Sequence, residues 1–147
     1  FNIRDNILMG GFAARGARKI PEIVPELFPY LMDNLDRPGG VLSGGQQQQL
    51  AIARSLACDP SVLLMDEPTA NLDPASTAVI EELVRDEARR GAKVIYVTHD
   101  IGQARRLASD IWFIYRGGLH ETAPADRFLN APQTPEARAF LKGDIVE

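Results

Sequence analysis

The chain has 147 residues, the length of one domain, and its 45% hydrophobic and 24% charged residues can bury a core and argue against disorder. A net charge of −4 and a pI of about 5.2 exclude a nucleic-acid binder that relies on general phosphate attraction. Cys58 is the only cysteine, which excludes an internal disulfide and a cysteine zinc cluster. No apolar run approaches the ~20 residues of a membrane-spanning helix, and the opening Phe1–Asp5 does not read as a signal peptide. Beginning at Phe rather than Met, the chain reads as part of something longer.

In chain order, Asp5–Met9 predicts a short helix broken at Gly10-Gly11. A second helix is predicted from about Pro21 to Leu35, with Ile23, Leu27, Leu31 and Leu35 on one face and Pro25 and Pro29 opposing its first half. Arg37-Pro38-Gly39-Gly40 is a turn. Ser43 then caps a helix running to about Cys58, with Leu50, Ala53, Leu56 and Ala57 inward, and Asp59-Pro60 stops it. Ser61–Met65 is a continuous apolar run, predicting a buried parallel strand.

Residues 75–90 predict a helix striped with Val79, Ile80, Leu83, Val84 and Ala88, paired as Glu81/Arg85 and Asp86/Arg90, and ended by Gly91. Lys93–Thr98 predicts a second buried strand, and Asp100 the cap of a helix to about Ala108. Ile111–Tyr115 and Leu119–Glu121 bracket Arg116-Gly117-Gly118 as a hairpin. Two short helices around Pro132 and Pro135 follow. Strands alternating with helices give an α/β fold with a parallel sheet, divided here into a helical region 1–58, an α/β core 59–123 and a helical tail 124–147.

Three short motifs carry chemistry. Ser43-Gly44-Gly45-Gln46 opens a helix, where two glycines admit another molecule to the backbone and the helix dipole favours an anion; by itself it equally suits an ordinary capped helix. Asp66-Glu67 ends an apolar strand, and carboxylates there need a cation or donors to offset desolvation. Alternation along the strand points the two side chains in opposite directions. His99 follows the second strand and precedes Asp100; a lone histidine is more often structural, and His120 reads as exposed.

With the continuation Gln46–Arg54, the run Asp66-Glu67-Pro68-Thr69, Ala70-Asn71-Leu72-Asp73 and Thr98-His99-Asp100, nearly the whole chain resembles the ATPase subunit of an ATP-binding cassette (ABC) transporter. The resemblance implies a partial P-loop NTPase (RecA-like) sheet behind a helical subdomain. It implies ATP and Mg²⁺ as cofactors, with Ser43, Gly44, Gly45 and Gln46 contacting the γ-phosphate of an ATP held by the opposite subunit. Asp66 would hold Mg²⁺, Glu67 would orient or deprotonate the attacking water, and His99 would sense the γ-phosphate. Asp73 belongs to the loop linking the two sites, although it equally reads as the cap of helix 75–90. The implied partners are transmembrane permease subunits and a second ATP-binding subunit, with no nucleic acid, at the cytoplasmic face of the cell membrane.

No G-x-x-x-x-G-K-[ST] phosphate loop occurs. Gly11 and Gly16 have the glycine spacing, but Ala17 and Arg18 stand where lysine and a hydroxyl are required. The chain therefore reads as the back portion of a cassette, inactive alone and prone to self-association through an uncovered sheet. For cargo, Phe28–Leu56 looks like importers of branched-chain amino acids or urea. Thr98–Gly143 looks like importers of oxyanions or polar amino acids. A non-transport ABC ATPase and a non-catalytic relative remain the alternatives.

Overall fold

In a computed structural model, residues 1–12 and 19–143 are described. They fall into two compact units, Phe1–Val97 and Thr98–Glu147.

The first unit begins with α1 (Ile3–Gly10), capped by Asn2, whose side chain accepts from the Asp5 amide at 2.7 Å. Ile3 and Ile7, one helical turn apart, are fully buried. The Ile3 and Arg4 amides donate to the Arg37 and Leu35 carbonyls at 3.0 and 2.9 Å, tying the start of α1 to the turn at 34–38. A Cβ on Gly10 would run into the Arg54 carbonyl, so α1 approaches α4 (Gly44–Leu56) more closely than any other residue would allow.

The single helix expected over 21–35 is instead two, α2 (Val24–Leu27) and α3 (Pro29–Asp33), broken at Phe28 (φ −133°, ψ 61°). Pro29 lacks the N–H that would continue α2 and pushes the residue before it out of the helical region. The break changes the inward face: Val24, Phe28 and Leu31 are buried, whereas Ile23, Leu27 and Leu35 are only half-buried.

In α4 the inward residues are Leu50, Ile52, Ala53 and Leu56; Ala57 follows the helix and is half-buried. β1 (Val62–Asp66) pairs in parallel with β2 (Lys93–Val97), Leu64 opposite Ile95 and Asp66 opposite Val97. The expectation of strands buried on both faces is corrected here. Leu63 and Met65 are buried, but Val62, Leu64, Ile95 and Val97 on the other face are 43–66% exposed.

α5 (Pro74–Arg89) packs against β2 and buries Ile80, Leu83 and Val84. Ala88 is exposed, Val79 half-buried, and Glu87 buried instead. The ion pairs shift accordingly. Arg85 does meet Glu81 (3.5 Å), but Asp86 pairs with Arg89 (2.9 Å) and Arg90 with Glu87 (3.2 Å) rather than Asp86 with Arg90. Gly91, at φ +98°, ends the helix.

The second unit opens with α6 (Ile101–Leu107), followed by the antiparallel hairpin β3 (Asp110–Tyr115) and β4 (Gly118–Pro124). Its two-residue turn, Arg116 (φ 47°) and Gly117 (φ 75°), has the left-handed pair of angles that matches strand twist. α7 (Ala125–Asn130) and α8 (Pro135–Lys142) cover one face of the hairpin. Phe113 meets Phe128 and Phe140 at ring separations of 5.7 and 5.5 Å. Buried Glu121 anchors the α7–α8 connection, accepting from the amides of Gln133 (3.0 Å) and Thr134 (3.1 Å) and from the Thr134 hydroxyl (3.2 Å). Burial pushes this carboxyl up, but the Thr134 and Gln133 amides, the Thr134 hydroxyl and Arg127 together hold it below the ordinary glutamate value.

Candidate functional site

The Ser43–Gln46 helix start, the Asp66-Glu67 pair and the Ala70–Asp73 loop share the first unit. The helix start is a reciprocal capping box. The Gln46 amide donates to Ser43 Oγ (3.3 Å), and the Ser43 amide donates to Gln46 Oε1 (3.0 Å). Gln47 Nε2 donates to the Leu42 carbonyl (3.1 Å), fixing the entry to the turn. The Gly44 and Gly45 amides have no acceptor within the helix, as at every helix start, and Ser43 and Gly44 are exposed. The serine hydroxyl and glutamine carbonyl therefore hold the turn's shape, while the backbone amides and dipole are the groups suited to an anion.

Gly45 faces the loop after β1. A Cβ there would lie 3.1 Å from the Asn71 carbonyl and 3.3 Å from Leu72 Cδ2. Gly44 has open space around it, so the two glycines serve different needs: one lets the loop approach, the other leaves the surface open. Asn71 and Leu72 were not expected as neighbours of the helix start, because the contact joins segments distant in sequence.

Asp66 ends β1 and is exposed, bordering a groove of about 160 Å³ between α4 and β1 that Gln48, Ile52, Ser55 and Leu64 also line. Glu67 lies beyond the strand at φ +44°, so the expected strand alternation does not set its direction. That angle is unfavourable for a residue with a side chain, and such strain costs about 1–3 kcal/mol. It is held by the Glu67 amide donating to the Val97 carbonyl (3.0 Å), by the Ala70 amide donating to the Glu67 carbonyl (3.2 Å) and by fully buried Pro68.

Asp73 closes the loop as the α5 cap. Its Oδ1 accepts from the Ala75 and Ser76 amides (2.9 and 3.0 Å), and its Oδ2 accepts from Ser76 Oγ (2.6 Å). The Ser76 hydroxyl and amide hold the Asp73 carboxyl below its ordinary value. No group of three or more His, Cys, Asp or Glu side chains gathers as a metal cage among the described residues. One exposed carboxylate suits Mg²⁺, which keeps several waters and takes one or two carboxylates alongside phosphate oxygens.

His99 belongs to the second unit and is exposed, directly before the α6 cap Asp100. His120 is exposed as expected, with its ring 5.4 Å from that of Tyr115. Of the Gly11–Arg18 run, residues 13–18 lie outside the described residues. No described helix is long and apolar enough to cross a membrane.

Residues 24–70 match the ABC transporter family. The chain is 44% identical over 133 residues to the phosphate import ATP-binding protein PstB 2 of Natronomonas pharaonis, spanning 89% of this chain and 47% of that protein. It is 42% identical over 142 residues to the putative ABC transporter ATP-binding protein YjkB of Bacillus subtilis, spanning 96% and 57%. A dimeric ATP-binding cassette solved in a post-hydrolysis state with ADP and phosphate superimposes with a TM-score of 0.74 at 30% identity, over 85% of this chain and 57% of that one. The chain spans about half the length of the curated relatives it matches. The signature-like helix start, the strand ending in two carboxylates, the relatives and the shared α/β architecture place the chain in the ABC transporter family, as part of its nucleotide-binding domain.

Proposed function

We propose that this sequence serves in the ATP-hydrolysing subunit of an ABC transporter. The observation that carries the reading is the contact of Gly45 with Asn71 and Leu72, which joins the anion-suited helix start to the loop leaving Glu67. In the assembled transporter two such subunits would face each other beneath the permease subunits, at the cytoplasmic side of the membrane. The Ser43–Gln46 turn would contact the γ-phosphate bound by the opposite subunit, with Asp73 fixing the adjoining loop. Asp66 would hold Mg²⁺, Glu67 would orient or deprotonate the attacking water, and His99 would contact the γ-phosphate. The nucleotide supplies the phosphoanhydride bond that is broken. The helical region before Ser43 would meet the permease.

Relatives named as phosphate and anion importers support an imported inorganic oxyanion as the cargo. Labelled-phosphate uptake that persists unchanged in cells lacking the subunit would remove that assignment.

The test of the catalytic reading is Glu67→Gln in the intact subunit. Loss of a positioned general base is expected to lower turnover by about 10²–10⁴-fold while ATP still binds. Near-wild-type turnover would remove Glu67 from the role. For the 147-residue chain alone, MgATP titration followed by Trp112 fluorescence is expected to show no saturable binding. Micromolar saturation would mean another surface takes the place of the phosphate loop.

A further inference from the structure

The second unit holds His99 in an arrangement that helix capping alone does not require. We propose that Gln103 is a positioning residue that sets His99 for its nucleotide contact, through a closed hydrogen-bond circuit with Thr98 and Asp100.

The Asp100 amide donates to Thr98 Oγ1 (3.0 Å), the Thr98 hydroxyl donates to Gln103 Oε1 (3.0 Å), and the Gln103 amide donates to Asp100 Oδ1 (3.1 Å). Thr98 and Asp100 are the residues on either side of His99, so the circuit pins the backbone on both sides of an exposed imidazole. Gln103 is the buried residue of α6, at 4% exposure. An ordinary cap needs only the bond from the Gln103 amide to Asp100. The side-chain bond from Thr98 to Gln103 adds nothing to the helix start; it spans the segment that carries His99. Gly102 leaves room for the circuit, because a Cβ there would lie 2.9 Å from Asp100 Oδ1. A satisfied polar network anchored on a buried side chain fixes one local conformation.

The inference rests on the reading of His99 as a phosphate-contacting group, and two measurements separate the two. Histidine-labelled NMR of the 147-residue chain reads His99 directly, with His120 as an internal reference. Thr98→Val and Gln103→Leu, which each delete one member of the circuit, are expected to shift and broaden the His99 ring signals and leave His120 unmoved. Thr98→Ser, which keeps the hydroxyl, is expected to match the wild type. Unchanged His99 signals in both deletion variants, or equal disturbance at His120, would overturn the proposal.

In the intact subunit, the deletion variants are expected to lower kcat by about 10–100-fold through misplacement of one group, with KM for ATP unchanged. Wild-type kcat in both variants would also overturn it. His99→Ala with wild-type turnover would instead remove the phosphate-contacting role of His99 while the NMR result on the circuit stands.

Discussion

In the unit Phe1–Val97 the parallel pair β1–β2 buries Leu63 and Met65 and leaves Val62, Leu64, Ile95 and Val97 exposed, whereas in the unit Thr98–Glu147 the antiparallel hairpin packs one face against α7 and α8. Trp112, Ile114 and Leu119 stay exposed on the hairpin's other face. Antiparallel sheets commonly keep one wet face, but parallel strands occur almost only with both faces covered. Two strands are also too few for independent stability without packing against a helix. The difference shows what each unit leaves open. Asp66 and Glu67 lie at the end of the half-covered pair, and Glu67 takes a left-handed backbone there; the hairpin unit keeps its left-handed Arg116 in the strand turn and fills its covered face with an aromatic cluster and a buried, hydrogen-bonded carboxylate.

The comparison breaks most directly at Phe128. Phe128→Ala should remove about 3–5 kcal/mol from the second unit, the usual cost of emptying a buried aromatic site. Hydrogen exchange should then accelerate over 98–143 ahead of 1–97; uniform acceleration would mean that the units do not open separately.

Gly10→Ala should cost about 1–3 kcal/mol in urea unfolding, since the added methyl meets the Arg54 backbone rather than a movable side chain. An unchanged midpoint would show that α1 can slide on α4.

Acid should act on the second unit through Glu121. Its folded-state pKa is lowered, so its stabilisation is present above the unfolded value of about 4.3 and is lost as pH falls through the lower folded value. Glu121→Gln should flatten that part of the stability–pH profile, and an unchanged acid limb would dismiss the carboxylate as its source.

The smallest effect sharpens the contrast from the other side. Leu64→Thr with Ile95→Thr should change stability by less than ~0.5 kcal/mol, as expected of exposed positions, while reducing self-association in sedimentation velocity. A larger loss of stability would mean that the face is covered in solution.

Much of the fold was legible because its signals are local. The Ser43, Asp73 and Asp100 caps, the Gly91 stop and the Arg116-Gly117 turn each follow from the chemistry of a few adjacent residues. The Ser43-x-x-Gln46 spacing also carried an unread signal, since it predicts the capping box. The helix over 21–35 failed because four-residue spacing of Ile23, Leu27, Leu31 and Leu35 outweighed Pro29, whose ring and missing N–H decide the matter locally. A continuous apolar run predicts doubly buried strands but does not state how many layers cover it, and here one face of β1 and β2 stays exposed.

By itself, then, the sequence determined the order of elements, their caps and turns, and the residue types at the phosphate-suited turn, the carboxylate pair and His99, because these follow from short-range sterics and hydrogen bonding. Only the tertiary structure decided that Gly45 would press on Asn71 and Leu72, that Glu67 would leave the strand at positive φ, and that Gln103 would be buried against Thr98. Those outcomes depend on packing around the site: the strand partner that fixes Glu67, the loop that reaches the helix start, and the burial that leaves the Gln103 side chain bonded to protein rather than water.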